Sequence, residues 1–132
     1  MPDLNLDPDA PWTPERAREV AGLLAAAARL LNYATRLGPY SLTDPADLAA
    51  VAGDVQLAVS RLPQFAEQVR NLVAVTGRQW TADSPGMPTD VVLRDARAWA
   101  DHASSEAALL GVALTGLHEC LSRLRVKEVP DA

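Results

Sequence analysis

The sequence has no isoleucine, and among its 132 residues there is one lysine, one phenylalanine and one cysteine. Aromatic residues make up only 5%. Isoleucine and the aromatics are the side chains that best fit a pleated sheet, so their scarcity argues against a strand-built fold. The single Cys120 excludes an intrachain disulfide and any multi-cysteine metal site, and it fits a reducing compartment. The opening Met1-Pro-Asp-Leu-Asn-Leu-Asp lacks the basic-then-apolar order of a cleaved secretory signal. The longest nearly apolar runs, Val20 to Leu31 and Ala107 to Leu117, are too short to span a bilayer, and Arg29 interrupts the first. No glycine-rich phosphate loop, dinucleotide fingerprint or Gly-x-Ser-x-Gly turn occurs.

What is present is alanine and leucine, 24 and 19 residues, in a chain that is 48% apolar. Both are strong helix formers, and that apolar fraction is enough for a folded core. The expectation is an all-α, cytoplasmic protein. The basic residues are 11 Arg to one Lys, which with the missing isoleucine reads as codon bias in a GC-rich genome. The formal charge of −5 sits mostly at the ends. Asp3, Asp7 and Asp9 lie in a proline-rich stretch without periodicity, so residues 1–12 are expected to be a flexible acidic tail, 13–126 a helical bundle domain and 127–132 a second tail.

Three long helices are predicted, packed as an antiparallel bundle. The first, about 14–37, opens at Thr13-Pro14, a capping oxygen followed by a proline at the first helical position. Trp12 stands where it could fold onto Ala17 as a hydrophobic staple. Its apolar seam is Ala17, Val20, Leu24, Ala27, Leu31 and Ala34, and Gly38-Pro39 ends it. The second, about 45–76, opens at Asp44-Pro45 and carries Leu48, Val51, Val55, Ala58, Leu62, Phe65, Val69 and Leu72. That spacing keeps phase through Pro63, which predicts one helix kinked there, with Pro63 on the side away from the seam. Residues 77–88 form a loop long enough to suggest a role. The third helix, about 89–126, shows Val92, Ala96, Trp99 and Ala103, then Ala107, Leu110, Leu114, Leu117, Leu121 and Leu124. The four-residue step at 103–107 is a stutter, and Ser104-Ser105 makes a division into two helices a second possibility.

Two segments carry more apolar surface than one buried face requires. Gly22, Ala25 and Ala26 lie outside the first seam, and Leu109, Val112 and Gly116 outside the last. Small residues let helices approach closely, and burying Leu109 or Val112 would be worth roughly 1.5–3 kcal/mol each. We read these as a contact surface, and a homodimer as its product; central positions in a four-helix core are the alternative. Trp80 either anchors the 77–88 loop on the end of the bundle or offers a partner contact.

Chemistry-bearing residues are few. His118 and Cys120, two apart on a helix, stand about 200° apart and cannot hold one ion together. His102 and Glu106 share a face with Asp101 beside them, but a metal would need a second ligand pair, so a solvated pair is expected. Ser41, Ser60, Ser84, Ser104, Ser105 and Ser122 lack the setting of a nucleophile. Arg18, Arg29 and Arg36 form a stripe on the first helix, and Arg123, Arg125 and Lys127 cluster at the end of the last. Both read as solvated cations rather than a nucleic-acid footprint. The expectation is no enzyme, no cofactor, no metal and no membrane. The leading function is a helical interaction or assembly protein; the alternative is a small regulator, antitoxin-like or accessory to a mobile element, binding a protein or DNA.

Three segments carry a resemblance, two of them short motifs. Leu30-Leu31-Asn32-Tyr33-Ala34-Thr35-Arg36, Pro39-Tyr40 through Asp54-Val55, and Leu62-Pro63-Gln64 resemble a family of small helical actinobacterial proteins. Its members show a Leu-Asn-His/Tyr-Ala-Thr segment, a middle helix with Leu-Pro-Gln, an acidic loop and an Ala-rich last helix. The resemblance implies a helical fold in a bacterial cytoplasm and no catalytic residue. From the residues themselves, Asn32 and Thr35 sit off the first seam, where they are surface polar groups or partners of Gln64 across an interface. Tyr40-x-x-x-Asp44 is similar to the tyrosine–acid signal of type VII-secreted helical hairpins, but the Trp-x-Gly turn of that family is missing, since Trp80 is followed by Thr81-Ala82.

Overall fold

The structure is a computed structural model, and it describes residues 6–39, 42–83 and 85–128. Among these the fold is all-α, with no strand: α1 Pro14–Ala34, α2 Pro45–Ser60, α3 Leu62–Thr76 and α4 Thr89–Leu121, with a single 3-10 turn at Gly77–Gln79. The chain forms two compact units, Met1–Leu42 and Thr43–Ala132.

In the first unit, α1 begins as its sequence dictates. Thr13 has extended backbone and its hydroxyl oxygen accepts from Arg16 N at 3.1 Å, with Pro14 in the first turn. The residues before it fold back on that turn. Arg16 donates to the carbonyls of Ala10 and Asp7, both at 2.8 Å. Its guanidinium lies 3.7 Å from the centroid of the Trp12 ring, and Trp12 Nε1 donates to Pro8 O. The partner found on Trp12 is thus Arg16. The helix stops at Ala34, three residues before the expected end, where the Thr35 N–H and hydroxyl both donate to Leu31 O. Gly38 follows with a positive φ of 155°, a conformation that costs glycine little.

The second unit is a helical hairpin. α2 and α3 form one arm, helical throughout except at Arg61, whose backbone stays in the right-handed region. Pro63 has no N–H to offer, and the single-residue break two positions before it is the predicted kink. α4 is the other arm and runs antiparallel, since residue 49 meets 118, 70 meets 101 and 77 meets 93. It is continuous through Ser104-Ser105, so the division considered there does not occur. It ends at Leu121, which leaves Arg123, Arg125 and Lys127 beyond the helix.

The two arms meet along rows that coincide only in part with the seams expected of them: Ala107, Leu114 and Leu121 are shared, and Leu48, Val51, Val55, Leu62 and Val69 are part-buried at the edge of the contact. On α2–α3 the inward row is Ala49, Ala52, Gln56, Val59, Pro63, Ala66, Arg70, Val73 and Gly77, a strict three-four alternation, and every buried residue of this arm lies on it. On α4 the inward row is Leu93, Arg97, Ala100, Ser104, Ala107, Gly111, Leu114, His118 and Leu121, also without a stutter. Both rows fall one residue after most of the large-residue rows read from the sequence. Pro63 is half-buried and in step with the inward row, not on the far side. The physical reason is size. Small residues at Ala49, Ala52, Ala66 and Gly77 on one arm and at Ala100, Ala107 and Gly111 on the other let the backbones approach between the larger Leu93, Leu114 and His118. A Cβ added at Gly53 would lie 3.0 Å from the His118 ring, and one at Gly77 only 2.9 Å from Leu93 Cδ2.

Candidate interaction surface

The hairpin core is correspondingly slight. Its buried hydrophobic residues are Ala49, Ala52, Val59 and Ala66, and no large side chain is fully buried among the described residues. The larger side chains displaced from the seam come to one side of the hairpin. There Leu62, Phe65 and Val69 of α3 and Ala96, Trp99 and Ala103 of α4 line an open apolar groove of about 480 Å³. Phe65 is 63% and Trp99 71% exposed. Leu72 continues the row on α3, and Val92, Leu110 and Leu117 continue it on α4; all four are exposed. Trp99 also meets His102 edge-on, with ring centroids 5.8 Å apart.

The opposite side of the same two helices is charged. Around a helix Trp99 and Asp101 stand about 200° apart, and Phe65 and Arg70 about 140°. Arg70 Nε donates to Asp101 Oδ1 at 2.8 Å. Further along, Arg78, Asp90 and Arg97 together with Val73, Ala74 and Leu93 line a cleft of about 240 Å³ of mixed character. Asp101, placed by the sequence beside His102 and Glu106, is therefore committed to Arg70. His102 and Glu106 are both exposed, and no hydrogen bond joins them. Among the described residues no three His, Cys, Asp or Glu gather where they could hold a metal ion. Nor is any helix among them long and apolar enough to cross a membrane.

His118 is the polar side chain the sequence undervalued. It points between the arms, its Nδ1 is 2.8 Å from Ala49 O, and its ring fills the space left by Gly53. Only the ring nitrogen can donate in that bond, so it ties α4 to a carbonyl of α2. The sequence carries no signal for this, because the fold alone sets Gly53 of α2 level with His118 of α4. Cys120 is exposed and free.

The contact residues expected from the sequence are placed as follows. Gly22, Ala25 and Ala26 are exposed along α1, and the space beside Gly22 is open. Leu109 is 64% and Val112 73% exposed, and with Gly116 they occupy the outer side of α4, separate from the groove. Trp80 is half-exposed, and its ring lies near Gly77 at the end of the hairpin. Its loop is tied down by Thr89, whose hydroxyl accepts from Ala82 N at 3.0 Å. The arginine stripe of α1 is occupied locally. Arg18 reaches Glu15 at 3.5 Å, and Arg29 and Arg36 flank the Tyr33 ring. Ser60 and Ser122 hydrogen-bond back to their own helices, Ser104 turns inward and Ser105 is exposed. Asn32 and Gln64 are exposed surface residues. Asp44 caps α2 by accepting from Ala46 N at 2.9 Å, while Tyr40, Ser41 and Ser84 lie outside the described residues.

Compared with family models, with curated proteins and with solved structures, the chain matches none.

Proposed function

We propose that this chain is a non-catalytic helical interaction protein that works by associating with itself. The observation that supports the reading is the mismatch in the hairpin: three alanines and one valine are its buried hydrophobic residues, while Phe65, Trp99, Leu109 and Val112 stand in water. Helical domains are stable when each apolar face meets another layer, and a two-helix hairpin has only one. Burying a large apolar side chain is worth roughly 1.5–3 kcal/mol, which gives these faces a strong drive to be covered. In this reading the Trp99 side offers the larger surface. Leu109, Val112 and Gly116, the small-residue strip Gly22, Ala25 and Ala26, and Trp80 offer smaller ones. The setting that goes with it is the bacterial cytoplasm, as in the small actinobacterial helical proteins the chain resembles, with no nucleic acid as partner.

Light scattering coupled to size-exclusion chromatography tests the reading. The expected result is a mass that rises above the 14.1 kDa of one chain as concentration increases. A strict monomer at the highest attainable concentration would contradict it.

A further inference from the structure

The self-association proposed above has a particular seat. We infer that the groove side of the hairpin, centred on Phe65 and Trp99, packs against the same side of a second copy about a two-fold axis. The inference rests on the self-association reading and adds which surface is used and how.

Three observations carry it. The first is self-complementarity. The groove side holds both large projecting rings, Phe65 and Trp99, and shallow floor positions formed by Ala66, Ala96, Ala103 and Ala107. An isologous interface requires one patch to hold both halves of each contact, and this patch holds a knob and a hole side by side. The second is area. From Leu93 to Leu121 α4 rises about 42 Å, and two adjacent helices are about 20 Å wide, so the face spans roughly 800 Å². That is about what each partner contributes to a standard interface. The two rings alone hold out roughly 200–350 Å² at their measured exposure. The third is charge. All nine side chains lining the groove are apolar, whereas the Arg70–Asp101 pair and the Arg78, Asp90 and Arg97 cleft lie on the other side. A partner that recognised the hairpin by charge would find its contacts on that other side. The groove offers only shape and apolar area, which a second copy of the same face supplies in kind.

Tryptophan in the middle of such a patch is a typical anchor of association. The test compares Trp99→Asp with Val112→Asp, each checked for unchanged helical circular dichroism. Both side chains are mostly exposed in the single chain, so the fold does not depend on either. The expected result is at least about 30-fold weaker association for Trp99→Asp, and a dimer that persists in Val112→Asp. A dimer lost in Val112→Asp and kept in Trp99→Asp would overturn the inference while leaving self-association intact. A dimer kept in both would do the same. An unaltered chain that is strictly monomeric would overturn both together. A second measurement does not rely on a disruptive change. With Trp12→Phe and Trp80→Phe, Trp99 is the only tryptophan, and its emission should shift to the blue in step with the rise in mass. Emission that stays red while the mass doubles would overturn the inference. Emission already blue while the mass is that of one chain would also overturn it, by placing the occupant of the groove within the single chain.

Discussion

The two sides of the α3–α4 hairpin are built from the same two helices and differ in almost everything else. One side shows Phe65, Trp99 and a floor of alanines. The other shows an ion pair between Arg70 and Asp101 and a cleft bordered by Arg78, Asp90 and Arg97. Water satisfies the charges of the second side, where Val112, about 20° from Asp101 around α4, is the exposed apolar exception; it is a poor neighbour for the whole of the first. The difference teaches where the hairpin ends as a structure and begins as a component. Its arms meet through rows that mix small residues such as Ala49, Ala52, Ala66 and Gly111 with Val59, Leu93, Leu114 and His118. The large residues, pushed one position around each helix, make a face that is finished only by another layer.

The contrast can be broken most forcefully by enlarging the small row. Ala52→Leu or Ala66→Leu places a large side chain where the arms are closest. Each should cost about 1–3 kcal/mol of stability in urea unfolding, by overpacking. Ala103→Leu, on the groove side, should leave the unfolding midpoint of the dilute, single chain unchanged or raised, since it enters no contact between the arms. Equal losses at all three would show that the two rows are not distinct.

A smaller effect is expected where His118 sits over Gly53. Alanine is a better helix former than glycine by about 1 kcal/mol, but the Gly53→Ala methyl group must displace the ring bonded to Ala49 O. Gly53→Ala should therefore stabilise the His118→Ala chain by about 1 kcal/mol and the unaltered chain by clearly less. A double-mutant cycle reads the coupling directly. Simple additivity would mean the ring does not hold the arms together.

The smallest effect is expected on the charged side. Arg70 and Asp101 are both about half-exposed, so breaking their bond in Arg70→Ala should cost under about 1 kcal/mol. That loss should shrink further at about 1 M salt, where exposed charges are screened within about 3 Å. Dimer mass should not change. A dimer that dissociates in Arg70→Ala would move the interface to the charged side.

Much of the fold was legible in the sequence, and for local reasons. Thr13-Pro14 and Asp44-Pro45 start helices because a side-chain oxygen and a missing N–H suit a first turn, and both caps are formed. Pro63 marks the kink because it withholds a donor. The three-four spacing was also right as a period. What the spacing could not give was its phase. Hydrophobic patterning ranks positions by apolar size, so it selected Phe65 and Trp99 over Ala66 and Ala100. Close helix packing selects by small size, and in an alanine-rich chain the two criteria pick neighbouring rows. The four-residue step at 103–107 turns the large row by only about 40°, and Leu110 and Leu117 beyond it stay on the groove side with Trp99. His118 was discounted as a ligand, but its role as a link to α2 needed the antiparallel level of Gly53, which only the folded chain supplies. Leu109 and Val112 were read as surplus apolar surface, and both are exposed. The larger surplus at Phe65 and Trp99 was hidden by assigning those residues to the core.

The most direct test of this displaced register places a thiol on each row of α4. In a Cys120→Ser chain, Ala103→Cys and Ser104→Cys are adjacent, and the rates at which they react with a thiol reagent can be compared at low and high protein concentration. Position 104 should react slowly at every concentration, because it faces the other arm. Position 103 should react fast when dilute and slow as the chains associate. A slow position 103 beside a fast position 104, unaffected by concentration, would put the large row between the arms and contradict the account.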